Sequence, residues 1–353
     1  MIWRSRLIMD DIITRTEGEK VIEQIRINIF TEGGLKLGLG HIYRTLSLAN
    51  QLKKYANIKF LTTSGDIEIS KIRENDFEFF RGENIAEIEN QLNSNKPQIV
   101  IIDKLDVEES FCRDIKQSFN PKIVIFGNTS SANKYADVVI NAIIGTDYKN
   151  ESFFDKNAET LYLKGPKYLV LRDEFYEHKN LYKFKNDLKR ILLIFGGSDQ
   201  ANLTSKVLNK LLSMDYDFKI DVVLGAKFGF YSELNQVIDK HGRKKEKVNI
   251  YKDVNTISEL MLNSDLIITS PGTTMFESFC IGTPTIAFYQ NPYQKNVMFK
   301  NFSMAFDFNE IGNFEEFTFD FYNNYYENKK KIDAIEVGMG KDEIIKSIMG
   351  GKE

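Results

Sequence analysis

The strongest constraint on this chain is an alternation of short apolar runs with helix-period segments, met twice in succession. The first series has strand patterns at residues 25–30, 58–62, 98–103, 122–126 and 137–141, with helical periodicity over 42–55, 85–94 and 106–119. Residues 98–103, Gln-Ile-Val-Ile-Ile-Asp, are continuously apolar up to the closing acid, the pattern of a central parallel strand. The second series has strand patterns at 190–195, 219–224, 248–251, 266–269 and 285–288, and helical ones at 203–214, 232–240, 257–263 and 275–281. Repeated βα units require a parallel sheet with helices on both faces. The expected fold is therefore α/β, two doubly wound Rossmann-type domains facing a central cleft. At 353 residues the length suits two cores better than one. Residues 1–24 read as an N-terminal extension and 25–175 as the first domain. The polar stretch 176–189 reads as a linker and 190–353 as the second domain. The Phe- and Tyr-rich tail at 314–326 and the last helices are expected to cross back over the junction.

Composition excludes several classes. A net charge of -3, with the densest basic run (Arg243-Lys-Lys-Glu-Lys247) interrupted by an acid, argues against nucleic acid as a partner. No apolar run approaches the ~20 residues that span a bilayer, and the charged N-terminus is unlike a signal peptide. Cys112 and Cys280 are the only cysteines and form no CxxC pattern, which fits a reducing cytoplasm. The three histidines, His41, His178 and His241, have no ligand spacing, so neither a metal nor a cofactor is expected.

Four places fall at expected strand ends, where ligands gather in such sheets. Gly38-Leu-Gly40-His41-Ile-Tyr-Arg44 joins the first strand to its helix and carries a histidine, the side chain suited to proton transfer near neutral pH. A tight turn with no ligand would read the same way, and the third glycine of a dinucleotide fingerprint is missing. Asp103, followed by Lys104, closes the central strand. Gly196-Gly197-Ser198-Asp199 opens the second series and serves equally well as a ligand loop or a helix cap. Ser270-Pro-Gly272-Thr273-Thr274-Met-Phe-Glu277 offers hydroxyls and amides at a helix N-terminus, where a phosphate is favoured. Glu277 is placed there to accept from a ribose diol, or alternatively to complete a capping box with Thr274.

These blocks, with Leu171-Arg-Asp-Glu-Phe175 and Asn202-Leu-Thr204, occur in an order that resembles a particular enzyme family. It is the family of hydrolases that remove UDP from UDP-linked 2,4-diacetamido-2,4,6-trideoxy sugars in pseudaminic acid synthesis, which also includes spore-coat polysaccharide proteins. It is related more distantly to the transferase that adds N-acetylglucosamine to lipid-linked peptidoglycan precursors. The resemblance spans roughly residues 25–300. It implies a GT-B fold, with UDP held mainly by the second domain and His41 catalytic. Diphosphate and ribose contacts fall on Ser270, Gly272, Thr273, Thr274 and Glu277. Gly196, Gly197, Ser198 and Asp199 line the nucleotide side. From their positions Gly38, Gly40, Arg44, Asp103 and Lys104 read as the substrate side: Arg44 pairs with the diphosphate or is a surface residue of its helix, and Asp103 orients His41, binds sugar hydroxyls or simply closes its strand. Asp103-Lys-Leu-Asp106 departs from the His-Tyr that commonly follows the acid in this family. The pattern is closer to a subgroup found beside or fused to sialic-acid-type cytidylyltransferases, which implies association with such an enzyme and an altered sugar pocket. Three functions stay open: a UDP-sugar hydrolase, a UDP-sugar-dependent glycosyltransferase, and a non-catalytic nucleotide-sugar-binding partner of a sugar-activating enzyme.

Overall fold

The computed structural model describes residues 24–33, 40–104, 106–143, 148–252, 254, 256–300 and 302–350. Gly38 and nearly all of the 1–24 extension lie outside the described residues. The chain divides into two units: described residues 24–33, 41–170 and 339–350 in the first, and 40 and 171–338 in the second.

The first unit is built on β1 (Ile25–Thr31), β2 (Ala56–Thr62), β3 (Glu78–Arg81), β4 (Ile99–Asp103), β5 (Lys122–Phe126), β6 (Val138–Asn141), β7 (Glu151–Asp155) and β8 (Thr160–Lys164). Their order is β3-β2-β1-β4-β5-β6-β8-β7. Pairing is parallel except at the edge, where β7 runs antiparallel to β8. Successive strand side chains point to opposite faces, which explains why β4 is apolar throughout. Ile99 and Ile101 join one buried cluster with Ile27, Ile29, Leu46 and Ala49. Val100 and Ile102 join another with Phe30, Phe111 and Ile115.

The C-terminal helix Lys341–Met349 seats Ile344 and Ile348 in the first of these clusters. Tyr168 Oη donates to Glu343 at 2.8 Å. Gly340 has no room for a side chain, since a Cβ there would lie 2.6 Å from the Tyr168 ring. This segment thus belongs to the first unit.

The second unit contains β9 (Arg190–Ile194), β10 (Lys219–Leu224), β11 (Val248–Lys252), β12 (Leu266–Thr269), β13 (Thr285–Phe288) and β14 (Ala305–Phe306). They are parallel in the order β11-β10-β9-β12-β13-β14. Both sheets therefore wind outward from their first strand. The order reverses between β1 and β4 in one unit and between β9 and β12 in the other. Doubly wound sheets bind ligands beyond the carboxyl ends of the strands at that reversal.

Residues 176–189 do not form a free linker. The Asn180 and Tyr182 amides donate to the Cys280 and Ile281 carbonyls at 3.0 and 3.4 Å. Phe184 stacks on Tyr325, and Asp265 accepts from Lys185 Nζ at 2.6 Å. The polar pattern hid two aromatic anchors, Tyr182 and Phe184, that pack the stretch onto the second unit. The 314–326 tail is on the same side: its helix Phe314–Asn323 packs Phe317 and Phe321 against Phe306, and Tyr322 and Tyr325 enclose Phe184.

Candidate functional site

In the first unit, His41 and Asp103 converge at the β1/β4 reversal. His41 is the second residue of the helix Gly40–Leu52, whose buried Ile42, Leu46 and Ala49 fix it on the sheet. Asp103 is the last residue of β4 and is fully buried. The two meet at 2.6 Å between His41 Nδ1 and Asp103 Oδ1. Arg44, one helical turn after His41, donates Nε to Asp103 Oδ2 at 2.7 Å and its outer nitrogen to Oδ1. Its guanidinium lies over the Phe126 ring, 5.7 Å from the centroid.

Charge orders this triad. Burial alone would raise the Asp103 carboxyl, but Arg44 and then His41 outweigh it and hold the carboxyl down at about 2. Asp103 is consequently an anion at neutral pH and accepts only, so Nδ1 of His41 carries the proton that faces it. The 3.2 Å approach of Arg44 to the same nitrogen is then a neighbour contact between two donors. The other nitrogen, Nε2, is left as the basic one, on a side chain that retains 19% exposure. A buried acid orienting a partly exposed histidine is an arrangement for general-base chemistry.

Lys104, next along, pairs with Glu32 at 3.5 Å and lies over the Phe30 ring. Glu32 also accepts from Thr63 Oγ1 at 2.8 Å, so the ends of β1, β2 and β4 carry a second polar group beside the triad. Gly40 has open space around its Cα.

The second unit has its own cluster at the β9/β12 reversal. Gly196 adopts φ +75°, a left-handed conformation that glycine takes without strain, and Gly197 is exposed. Gly225, at the end of β10, presses against them. A Cβ there would come within 2.3 Å of the Gly196 carbonyl and 2.5 Å of Gly197 Cα. Gly225→Ala is therefore expected to cost about 1–3 kcal/mol, read as a lower denaturation midpoint, because the obstacle is backbone that cannot rotate away.

Asp199, expected on the nucleotide side or as a helix cap, does cap a helix. It is buried, and its two carboxylate oxygens each accept a backbone amide at 2.8 Å, from Leu203 and Thr204, at the start of the helix Leu203–Ser213. Ser198 remains half-buried in the turn.

The helix Thr273–Ile281 follows β12 with Gly272 as its N-cap and no side-chain cap. Its first amides are thus open to an anion, with the Thr273 and Thr274 hydroxyls half-buried beside them. The capping box does not form. Because the helix starts at Thr273, Glu277 is one turn further in and does not reach back. It is 7% exposed, with Arg172 3.5 Å from Oε1. Burial pushes its carboxyl up to about 6; Arg172 opposes the rise and Glu174 adds to it.

One residue that sequence reasoning missed completes this side. Gln290, just beyond β13, donates Nε2 to Ser270 Oγ and to the Phe195 carbonyl, each at 2.8 Å, tying the two turns together. Its signal was positional, a polar residue just past an apolar strand. Arg172 was noted, but its partner 105 residues away could not be.

Two doubly wound sheets, each with polar groups gathered at its reversal point, define the GT-B class of α/β architecture, and solved GT-B structures match this chain. MurG from Acinetobacter baumannii aligns with TM-score 0.62 and 12% identity over 92% of this chain and 99% of its own. HepE from Anabaena, solved with UDP-glucose, aligns with TM-score 0.52 and 13% identity over 92% and 95%.

Among curated proteins the chain is similar to the uncharacterised protein MJ1062 of Methanocaldococcus jannaschii, 42% identical over 330 residues. That alignment covers 92% of this chain and 66% of the relative, so the chain spans just under two thirds of its length. It is also 28% identical over 274 residues to the spore coat polysaccharide biosynthesis protein SpsG of Bacillus subtilis, covering 76% and 79% of the two chains. No protein-family model matches the chain.

No helix among the described residues is long and apolar enough to cross a membrane. No group of three or more His, Cys, Asp or Glu among them is placed to hold a metal ion.

Proposed function

We propose that this protein is a UDP-sugar hydrolase that acts in the cytoplasm, releasing UDP from a UDP-linked acetamido or deoxy sugar during nonulosonic-acid or surface-polysaccharide synthesis. The observation that carries the reading is the Asp103–His41 pair at 2.6 Å, which leaves Nε2 as the basic ring nitrogen. In this reading Nε2 takes a proton from water as its oxygen attacks the anomeric carbon. The bond from that carbon to the UDP oxygen breaks, and UDP leaves as an anion. The open amides of Gly272–Thr274 and the start of their helix stabilise the charge on the departing diphosphate. Glu277 accepts from the ribose diol, and the Gly196–Gly197 turn lines the nucleotide.

Similarity to SpsG supports a polysaccharide role, and HepE shows that a protein of this fold holds UDP-glucose. Association with a cytidylyltransferase or another sugar-pathway enzyme belongs to the same proposal, as does the altered sugar pocket at Lys104.

A glycosyltransferase is the second reading, favoured by the likeness of fold to a glycosyltransferase from Rickettsia africae, TM-score 0.58 at 12% identity. An acceptor hydroxyl then replaces water at the same base. A panel of UDP-sugars, acetamido sugars first, assayed for UDP release with and without acceptors, separates the two. Release without acceptor is expected. Release only with acceptor makes the protein a transferase, and tight UDP binding without turnover of any member makes it a binding partner. His41→Ala is expected to lower kcat by about 10²–10⁴ with UDP affinity kept; near-normal turnover would remove His41 from the mechanism.

A further inference from the structure

The Leu171-Arg-Asp-Glu-Phe175 block has no part in the chemistry above, yet it supplies the charged groups that face Glu277. Arg172 bridges two acids, Glu174 at 2.7 Å and Glu277 at 3.5 Å, and lies over the Phe175 ring, 4.9 Å from its centroid. Glu174 is itself anchored, accepting the Ser258 amide at 3.1 Å at the start of the helix Ile257–Asn263. Ser258 Oγ in turn meets His178 Nδ1 at 2.9 Å.

We infer that Arg172, braced by Glu174 and Phe175, is a positioning residue that holds the Glu277 carboxylate ready for the ribose of a uridine nucleotide. The inference rests on the nucleotide reading of this helix, and adds to it the device that keeps a buried acid usable as an acceptor. A buried carboxyl tends toward its neutral form, which would donate one proton where the diol needs two acceptors. Arg172 is the cation that counters this, and Glu174 plays two opposed parts, fixing Arg172 while repelling Glu277. The other titratable group at this helix is Cys280, whose thiol burial pushes up to about 11, so it stays neutral.

The test measures UDP-glucose affinity by calorimetry from pH 5 to 8. Its diphosphate is a diester without the phosphate pKa near 6 of a free phosphate end, so the ligand's charge is constant. Wild-type affinity is expected to fall as pH drops through about 6. Arg172→Gln is expected to move that fall upward by roughly one pH unit, which makes binding about twofold weaker at pH 7 and about tenfold weaker at pH 5. Arg172→Lys should keep the fall near the wild-type position by restoring charge. Glu174→Gln should move it the opposite way, so that binding at pH 5.5 is at least as tight as in the wild type.

A structural role alone predicts uniform weakening of both glutamine variants with the pH midpoint unmoved, and that result overturns the inference. If Glu277→Gln binds UDP-glucose as well as the wild type does, the nucleotide reading of Glu277 fails and takes this inference with it. If Glu277→Gln loses binding while Arg172→Gln leaves the midpoint unmoved, only the role of Arg172 fails.

Discussion

Asp103→Asn is expected to slow UDP release by about 10³–10⁴-fold and to destabilise the first unit by about 3–5 kcal/mol. Both effects follow from one geometry. The asparagine amide is neutral, so it no longer fixes the Nδ1 proton, and the tautomer that leaves Nε2 basic loses its reason to predominate. The same change strips Arg44 of the carboxylate that accepts from two of its nitrogens. Breaking a buried pair from one side is costly because the remaining charge keeps its desolvation without its partner.

The acid limb supplies an independent check. Asp103 is held at about 2 against an ordinary 3.8. A depressed carboxyl contributes stability that is complete above pH 4 and is lost as pH falls through 2. Denaturation midpoints of the asparagine variant should therefore change less with pH between 4 and 2 than those of the wild type. An unchanged rate in a folded variant would contradict the role given to the pair.

Glu277→Gln is expected to move two properties in opposite directions. UDP-glucose affinity should fall by about 10²-fold, since hydrogen bonds to an ionised acceptor are worth about 1.5–3 kcal/mol each. Stability at pH 7 should rise by up to about 2 kcal/mol. The sign follows from a carboxyl raised to about 6 from an ordinary 4.5. The folded protein binds more protons than the unfolded chain between those values, so stability declines as pH rises from 4.5 through 6 and stays reduced above. A neutral amide avoids that cost. Wild-type protein should accordingly gain from this group as pH is lowered toward 4.5, and the glutamine variant should not. A variant that binds weakly and is also less stable at pH 7 would show that Glu277 serves packing rather than ligand.

Much of this molecule was legible from residue patterns because it rests on short-range physics. Strands β4, β5, β9, β10, β12 and β13 lie within a residue of where apolar runs and turn residues placed them. What escaped were elements with mixed burial: the helix Asp66–Glu74, β3, the β7–β8 hairpin and the two-residue β14. Strand β7 has Phe153 and Phe154 largely exposed, so no alternation marks an inner face. The 176–189 stretch misled for a related reason, since a few buried aromatics outweigh many solvated charges when their partners come from distant sequence.

His41, Asp103, Gly196–Gly197 and Ser270–Glu277 were recognisable by residue type and by position at strand ends, and that much the sequence determined alone. Only the tertiary structure decided which groups each one meets. Strand order brings β4 beside β1 and so joins His41 and Arg44 to an acid about 60 residues away. It assigns Asp199 to capping, because two amides already occupy its oxygens. It gives Glu277 to Arg172, because the helix begins two residues earlier than periodicity suggested and turns that carboxylate inward. Periodicity depends on neighbours within a few residues, whereas the protonation of a buried acid depends on whichever charge the fold places next to it.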